Sequence, residues 1–397
     1  MGIYVTLYCT GKYGIIINMK NAMLKAVPFT ALIGILAGCG ANDGLDDLAD
    51  GKAAFAERNF KKAATLFSDS LAVAPTNVET LVYMALTKLT LGELTDAKSI
   101  IDRAASIAGG DEDVLTLSGQ IAWHLKDYPA AFAAFEKLAV SGKYDATTKS
   151  AGWTGLGIVE MSQDKIDAAR VAFMKAINLD RHNASARYHL ARLYRDSFGY
   201  NDAALDLFEA FAHLAPADDE RTQKVKDSYI PELKDLIARE KAAHSPVGKR
   251  NSDICADQLA KAEAQFKKHN YKTARGCYEA AYKADPLSYA AALGLARVWQ
   301  KIDATNAGQK RAFEYYKTAC KLNPSAISTY NTTGELAAKL GYHAVAVNLF
   351  SRAVAANPKS YDAIDGLIRA HRRTQSKDGI AAAKLYQDYR DSITQKK

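Results

Sequence analysis

The stretch WTGLGIVEMSQDKIDAARVAFMKAINLD, Trp153–Asp180, carries a spacing that returns along much of the chain. Trp153, Leu156 and Gly157 open it, and Ala169, Phe173 and Ala176 follow. A small residue, an aromatic four positions later and a proline eight beyond that recur as Ala63, Phe67 and Pro75. The same set returns as Ala274, Tyr278 and Pro286, as Ala312, Tyr316 and Pro324, and as Ala346, Phe350 and Pro358. The last three prolines close units of 34, 38 and 34 residues. A fixed period of this size means that the architecture is a repeat array, in which no unit buries its apolar face alone.

A period of about 34 residues with W-x2-L-G-x2-Y, then A-x3-F, A and P, resembles the tetratricopeptide repeat family, and the resemblance covers nearly all of residues 44–390. It implies an all-α superhelix (a solenoid) of antiparallel helix pairs. The units read as 44–77, 78–111, 112–145, 150–183, 184–217, 255–288, 289–326, 327–360 and a degenerate 361–390. Ala146 to Lys149 interrupt the third and fourth units, and the seventh carries four extra residues around DATNAG in its internal turn. The ninth keeps Ala382 and Tyr386 but lacks the closing proline.

The eighth position of most units is small: Gly51, Ala85, Gly119, Gly157, Ala191, Ala262, Ala296 and Gly334. A small residue there lets the first helix lie close to its partner, and the aromatic fills the gap. Between Asp218 and Ser252 the period disappears. Val225, Tyr229, Leu233 and Ile237, spaced at four, mark amphipathic helix. Pro231 is expected to begin a new helix after a break, since it damages a helix interior. Glu232 to Ala243 is read as a cap on the first array, and His244 to Ser252 as an exposed hinge. The expected organisation is therefore a first array of five repeats at 44–217, a helical cap and hinge at 218–253, and a second array at 254–397 with three repeats and the degenerate one. A continuous superhelix with a non-repeat spacer is the alternative.

Ahead of the repeats, Lys20 and Lys25 precede an apolar run from Ala26 to Leu36, followed by Leu36-Ala37-Gly38-Cys39. A basic segment, a short apolar run and small residues define a secretory signal peptide, and the run is too short to span a bilayer. The four residues resemble the bacterial lipobox. That resemblance implies a signal peptide over 1–38, lipidation and acylation at Cys39, and a tether over 39–43. Met19 is read as the initiator, because the leader is complete from there. The pattern Met1-Gly2 with Thr6 also fits myristoylation loosely. With no aspartate after Cys39, the family's sorting rule implies the outer membrane, facing the periplasm.

The formal charge is +8, and loss of Lys12, Lys20 and Lys25 with the leader lowers it to +5. Both signs are interspersed, which disfavours the clustered basic face of a nucleic-acid protein. Cys255, Cys277 and Cys320 are an odd number without CxxC spacing, so neither a disulfide framework nor a zinc site is expected. Ser162-Gln163-Asp164-Lys165 matches S-x-x-K without its companion motifs. Asn183 and Asn331 begin glycosylation sequons. No cofactor, metal, catalytic residue or small-molecule substrate is expected.

What remains is surface. The resemblance places ligand-facing residues on the first helix of each unit. In the first array these are Leu86, Leu89, Gln120, Trp123, His124, Ile158, Met161, Tyr188, Arg192 and Arg195, an apolar and aromatic strip ending in guanidinium groups. In the second they are Glu263, Phe266, Lys267, Arg297, Lys301, Asn331, Glu335, Lys339, Arg369, Arg372 and Arg373, largely basic and suited to an acidic segment. Leu48 and Lys52 stand where the dicarboxylate clamp of chaperone-binding members needs lysine and asparagine. The sequence thus points to a non-enzymatic, lipid-anchored scaffold for protein or peptide partners, serving a pilus or secretion apparatus. Docking of peptidoglycan enzymes is the alternative, and an envelope enzyme or carbohydrate-binding module on a helical scaffold the remote one.

Overall fold

The computed structural model describes residues 44–216, 219–243 and 251–394, all helices and turns. The leader, Cys39, the tether and residues 244–250 of the hinge lie outside the described residues. Helix pairs follow one another as the repeat spacing requires. The first compact unit takes residues 44–189 with His213–Thr222. It contains α1 (Leu45–Ala56), α2 (Phe60–Val73), α3 (Val78–Thr90), α4 (Leu94–Ala108), α5 (Glu112–His124), α6 (Tyr128–Val140), α7 (Ala146–Ser162) and α8 (Ile166–Leu179). The second takes Leu190–Ala212 with the chain from Gln223 onward.

After α8 in sequence come α9 (Ala184–Leu193), a π-helical turn Tyr194–Phe198, α10 (Asn201–Leu214) and α11 (Glu220–Lys224), which the two units share. A second π turn, Val225–Tyr229, leads into α12 (Ile230–Ala243). The remaining pairs are α13 (Ser252–Lys267) with α14 (Tyr271–Ala284) and α15 (Tyr289–Ile302) with α16 (Asn306–Leu322). They end with α17 (Ile327–Lys339), α18 (His343–Ala356), α19 (Tyr361–Arg373) and α20 (Lys377–Thr394).

The closing prolines sit in turns, and after Pro75, Pro286 and Pro358 a polar residue two positions later caps the next first helix; after Pro324 the same place is Ala326, which offers no side-chain cap. Asn77 accepts from the Thr80 amide, Ser288 from Ala291 and Ser360 from Ala363. Each cap satisfies an amide that the helix itself cannot. Inside each pair the small and large positions meet as expected. A Cβ on Gly51 would stand 2.5 Å from Phe67, and one on Gly157 would stand 2.5 Å from Phe173. Both rings are fully buried.

Three expectations need correction. Ala146 to Lys149 do not interrupt two units: capped by Asp145, they add a turn to the start of α7. The extra residues of the seventh unit likewise lengthen α16, which runs 17 residues against 14 for α14. Four residues are close to one 3.6-residue turn, so either insertion keeps the buried face in phase. Pro231, finally, begins no new helix. The chain is helical without a break from Glu220 to Ala243, and the π turn just ahead of Pro231 widens the backbone where its ring and missing N–H would clash.

The other π turn has its own effect on register. It takes up one residue, and the buried small–large pair of the fifth repeat is Ala204 and Phe208. Glu232 to Ala243, expected to cap the first array, fall within the second unit.

Candidate functional site

In the first unit the expected strip is mostly packed inside. Leu86 and Leu89 belong to an apolar cluster with Phe55, Phe67, Leu81 and Ile121. Gln120, Ile158, Met161 and Tyr188 are buried too. Trp123 is half-buried; its indole N–H donates to Ser162 Oγ at 2.8 Å, and its ring meets His124 edge-on at 4.9 Å. Burial pushes the His124 imidazole below its usual range. The Tyr188 ring lies 4.9 Å from the guanidinium of Arg221, itself ion-paired with buried Asp219 at 2.8 Å.

Arg192 and Arg195 fall in the second unit. Arg195 Nε is 2.7 Å from Asp196, and its guanidinium lies 4.0 Å from the centroid of the Tyr229 ring. Arg192 reaches the same carboxylate at 3.7 Å. Both guanidiniums are engaged with the protein, a role that repeat spacing cannot foresee.

The second unit exposes its strip. Lys267, Lys301, Lys339 and Arg373 occupy the thirteenth position of successive units, each in the last turn of a first helix. Cations there are favoured by the helix dipole, which accounts for part of the pattern without a ligand. Lys301, Lys339 and Arg372 are exposed, and among the described residues none is ion-paired. Arg297 and Arg369 differ. Arg297 lies over the half-buried Phe266 ring at 4.6 Å and 3.4 Å from Glu263, which also accepts from the Tyr278 hydroxyl. Arg369 stands 4.0 Å from Glu335. These carboxylates partly neutralise the basic strip, leaving the lysines, Arg372 and Arg373 as its remaining charge among the described residues. Asn331 is half-buried within α17.

The remaining candidates are accounted for by packing. Ser162 Oγ donates to the Ile158 carbonyl at 2.8 Å while accepting from Trp123, and Lys165 pairs with Glu160 at 3.2 Å. Asn183 donates to Ser150 and Thr154 and caps α9 at Ala186, so its amide is internal. Cys255 and Cys320 are buried and Cys277 half-buried, all as free thiols; burial pushes Cys320 up to about 11.

Sequence reasoning passed over Arg352, which a contact across some 150 residues of chain brings to the Gly199 carbonyl. No periodicity marks such a residue, since its partners are set by packing between distant helices.

Residues 54–121 and, separately, 259–327 match tetratricopeptide repeat models. No curated protein matches the sequence. Among solved structures, a thermophilic tetratricopeptide-repeat protein of Thermus thermophilus is 21% identical over 48% of this chain and 99% of its own, with a TM-score of 0.41. The pilF protein of Pseudomonas aeruginosa is 16% identical over 63% of this chain and 95% of its own, with a TM-score of 0.39. MamA is 19% identical over 48% and 97%, with a TM-score of 0.36.

Proposed function

We propose that this chain, whose segments 54–121 and 259–327 are tetratricopeptide repeats, is a non-catalytic scaffold that holds partner proteins at a bacterial outer membrane. One observation carries the reading of a docking surface: the unpaired cations Lys301, Lys339 and Arg372 recur along successive first helices of the second unit. Like charges held at repeat spacing on rigid helices suit an acidic segment and make its capture salt-sensitive. The anchor rests on the sequence alone: Leu36-Ala37-Gly38-Cys39 behind a basic, apolar leader favours a lipidated Cys39 and a periplasmic position. In that place the scaffold would support assembly of a pilus or secretion apparatus.

Two measurements test the two halves. Alkyne fatty-acid labelling should mark the wild type and not Cys39→Ala; equal labelling of both removes the anchor. Crosslinking in the native envelope should recover a protein with an acidic segment. Recovery of lipid or glycan alone would defeat the scaffold reading.

A further inference from the structure

The second unit holds a cleft built mainly from the second helices of its repeats, apart from the strip of first helices. α16 and α18 line it, together with Phe198, Tyr200 and α12. Its volume, about 710 Å³, falls within the range of about 300–1,000 Å³ common for ligand sites. Ile237, Leu287, Val345 and Leu349 supply apolar surface.

Arg352 lines both this cleft and a smaller neighbour of about 220 Å³. Its guanidinium carbon is 5.1 Å from the centroid of the Tyr200 ring. Nη1 lies 3.4 Å from the Tyr330 hydroxyl and Nη2 3.3 Å from the Gly199 carbonyl, both long for N–H···O bonds. Among the described residues no carboxylate comes within 4.0 Å of it, and Asp202 acts on it only from farther away. Lys321, exposed on the same cleft, also has no carboxylate partner among the described residues. Lys317 is paired with Glu314 at 3.0 Å, and Glu240 accepts from Asn201 at 2.8 Å.

A half-buried guanidinium held by two tyrosines, without a counterion, has planar donors left for a carboxylate. The apolar wall beside it asks that the anion be joined to apolar groups. Asp202 and Asn348, also on the lining, offer acceptors for peptide N–H groups, which a fatty acid lacks. We propose that this cleft binds a partner's apolar peptide segment ending in a free carboxylate. The carboxylate sits on Arg352 and Lys321, with the last side chains against Val345 and Leu349. The site is independent of the basic strip.

The test is titration of the full chain with a fluorescent pool of pentapeptides made of Ala, Val, Leu and Phe, as free acids and as C-terminal amides. The free acids should bind about tenfold more tightly than the amides, a difference of about 1.4 kcal/mol. Arg352→Gln should abolish that preference, but it also removes contacts to Tyr200 and Tyr330. Lys321→Glu and Val345→Asp, at exposed positions, are therefore the decisive variants: each should weaken binding about tenfold with the melting temperature unchanged. Equal affinity of acid and amide, no binding by the pool, or unchanged binding in Lys321→Glu overturns the proposal. So does binding of dodecanoate without binding of peptide. Lys301→Glu with Lys339→Glu should leave pool binding intact, and its loss there would move the site to the strip and overturn this assignment.

Discussion

Gly155 on α7 lies flat against the ring of Phe135 on α6: a Cβ added to the glycine would stand 2.4 Å from the ring. The other side of the same ring is closed by Gly119, whose Cβ would stand 2.7 Å away. The aromatic is clasped between the first helix of its own repeat and that of the next. Phe350 repeats the arrangement with Gly334 and Gly366, at 2.9 and 2.2 Å. The clasp is how one hairpin passes its packing to its neighbour.

Gly155→Ala should therefore destabilise the protein. Alanine gains about 1 kcal/mol of helix propensity, but overpacking of a ring that cannot retreat costs roughly 1–3 kcal/mol. A net loss of about 1 kcal/mol is expected. Gly276 within α14 has nothing within 4 Å of its Cβ position, so Gly276→Ala should gain about 1 kcal/mol. Urea denaturation of the pair decides; the same sign for both would mean the clasp is loose.

The turns inside the pairs reuse one backbone device. Arg58, Lys126 and His269 have φ of 61°, 62° and 61°, where Gly92 and Gly341 stand in other repeats at 80° and 82°. A side chain in this left-handed region costs roughly 1–2 kcal/mol, partly offset by the greater freedom of glycine in the unfolded chain. Lys126→Gly should raise stability by about 0.5 kcal/mol, and the three changes together should add, being far apart. Thermal melts that fall with each replacement would contradict this.

Asp113, near the start of α5, has a carboxyl pushed up to about 6 by burial, then by Asp111, Glu112 and Glu79. Because the folded state holds this proton more tightly than the unfolded chain, the contribution of Asp113 to stability is full below pH about 4 and is lost as pH rises through about 6. Asp113→Asn should raise the melting temperature at pH 7.5, by an amount on the order of 1–2 kcal/mol, and do little at pH 4. An equal gain at both pH values would assign the effect to packing and not to charge.

The repeat, its period and its small–large pairs were legible because each follows from one residue type at one spacing. Gly157 against Phe173 is an example. The second face of each aromatic was not: Gly155 sits two positions before Gly157, the small residue that the pattern names, and Gly366 two before Ile368, where the degenerate repeat has no small residue. The left-handed turns were hidden because the chain fills them with Arg58, Lys126 or His269 as well as glycine. Insertions read as loops became helical turns, since four residues preserve the phase of a helix. In the candidate site, spacing found the exposed Lys301 and Lys339. It could not distinguish them from Leu86, which packs inward, or from Arg195, which stacks on Tyr229. Those differences depend on which neighbouring helix covers each position.

That contrast supplies the sharpest test of the strip. Lys301 and Lys339 are exposed and unpaired among the described residues, so Lys301→Glu with Lys339→Glu should change stability by less than about 1 kcal/mol, the small loss coming from the helix dipole. If they meet an acidic partner, crosslinked capture in the envelope should fall sharply. Wild-type capture should likewise weaken as salt rises and the Debye length shortens from about 8 Å to about 3 Å. Arg195→Glu should do the reverse. It forfeits the contact with Tyr229 and sets a second carboxylate beside Asp196, so melting temperature should drop before any specific effect on capture is seen. Capture that survives the double lysine reversal at every salt concentration would show that the partner docks elsewhere on the chain.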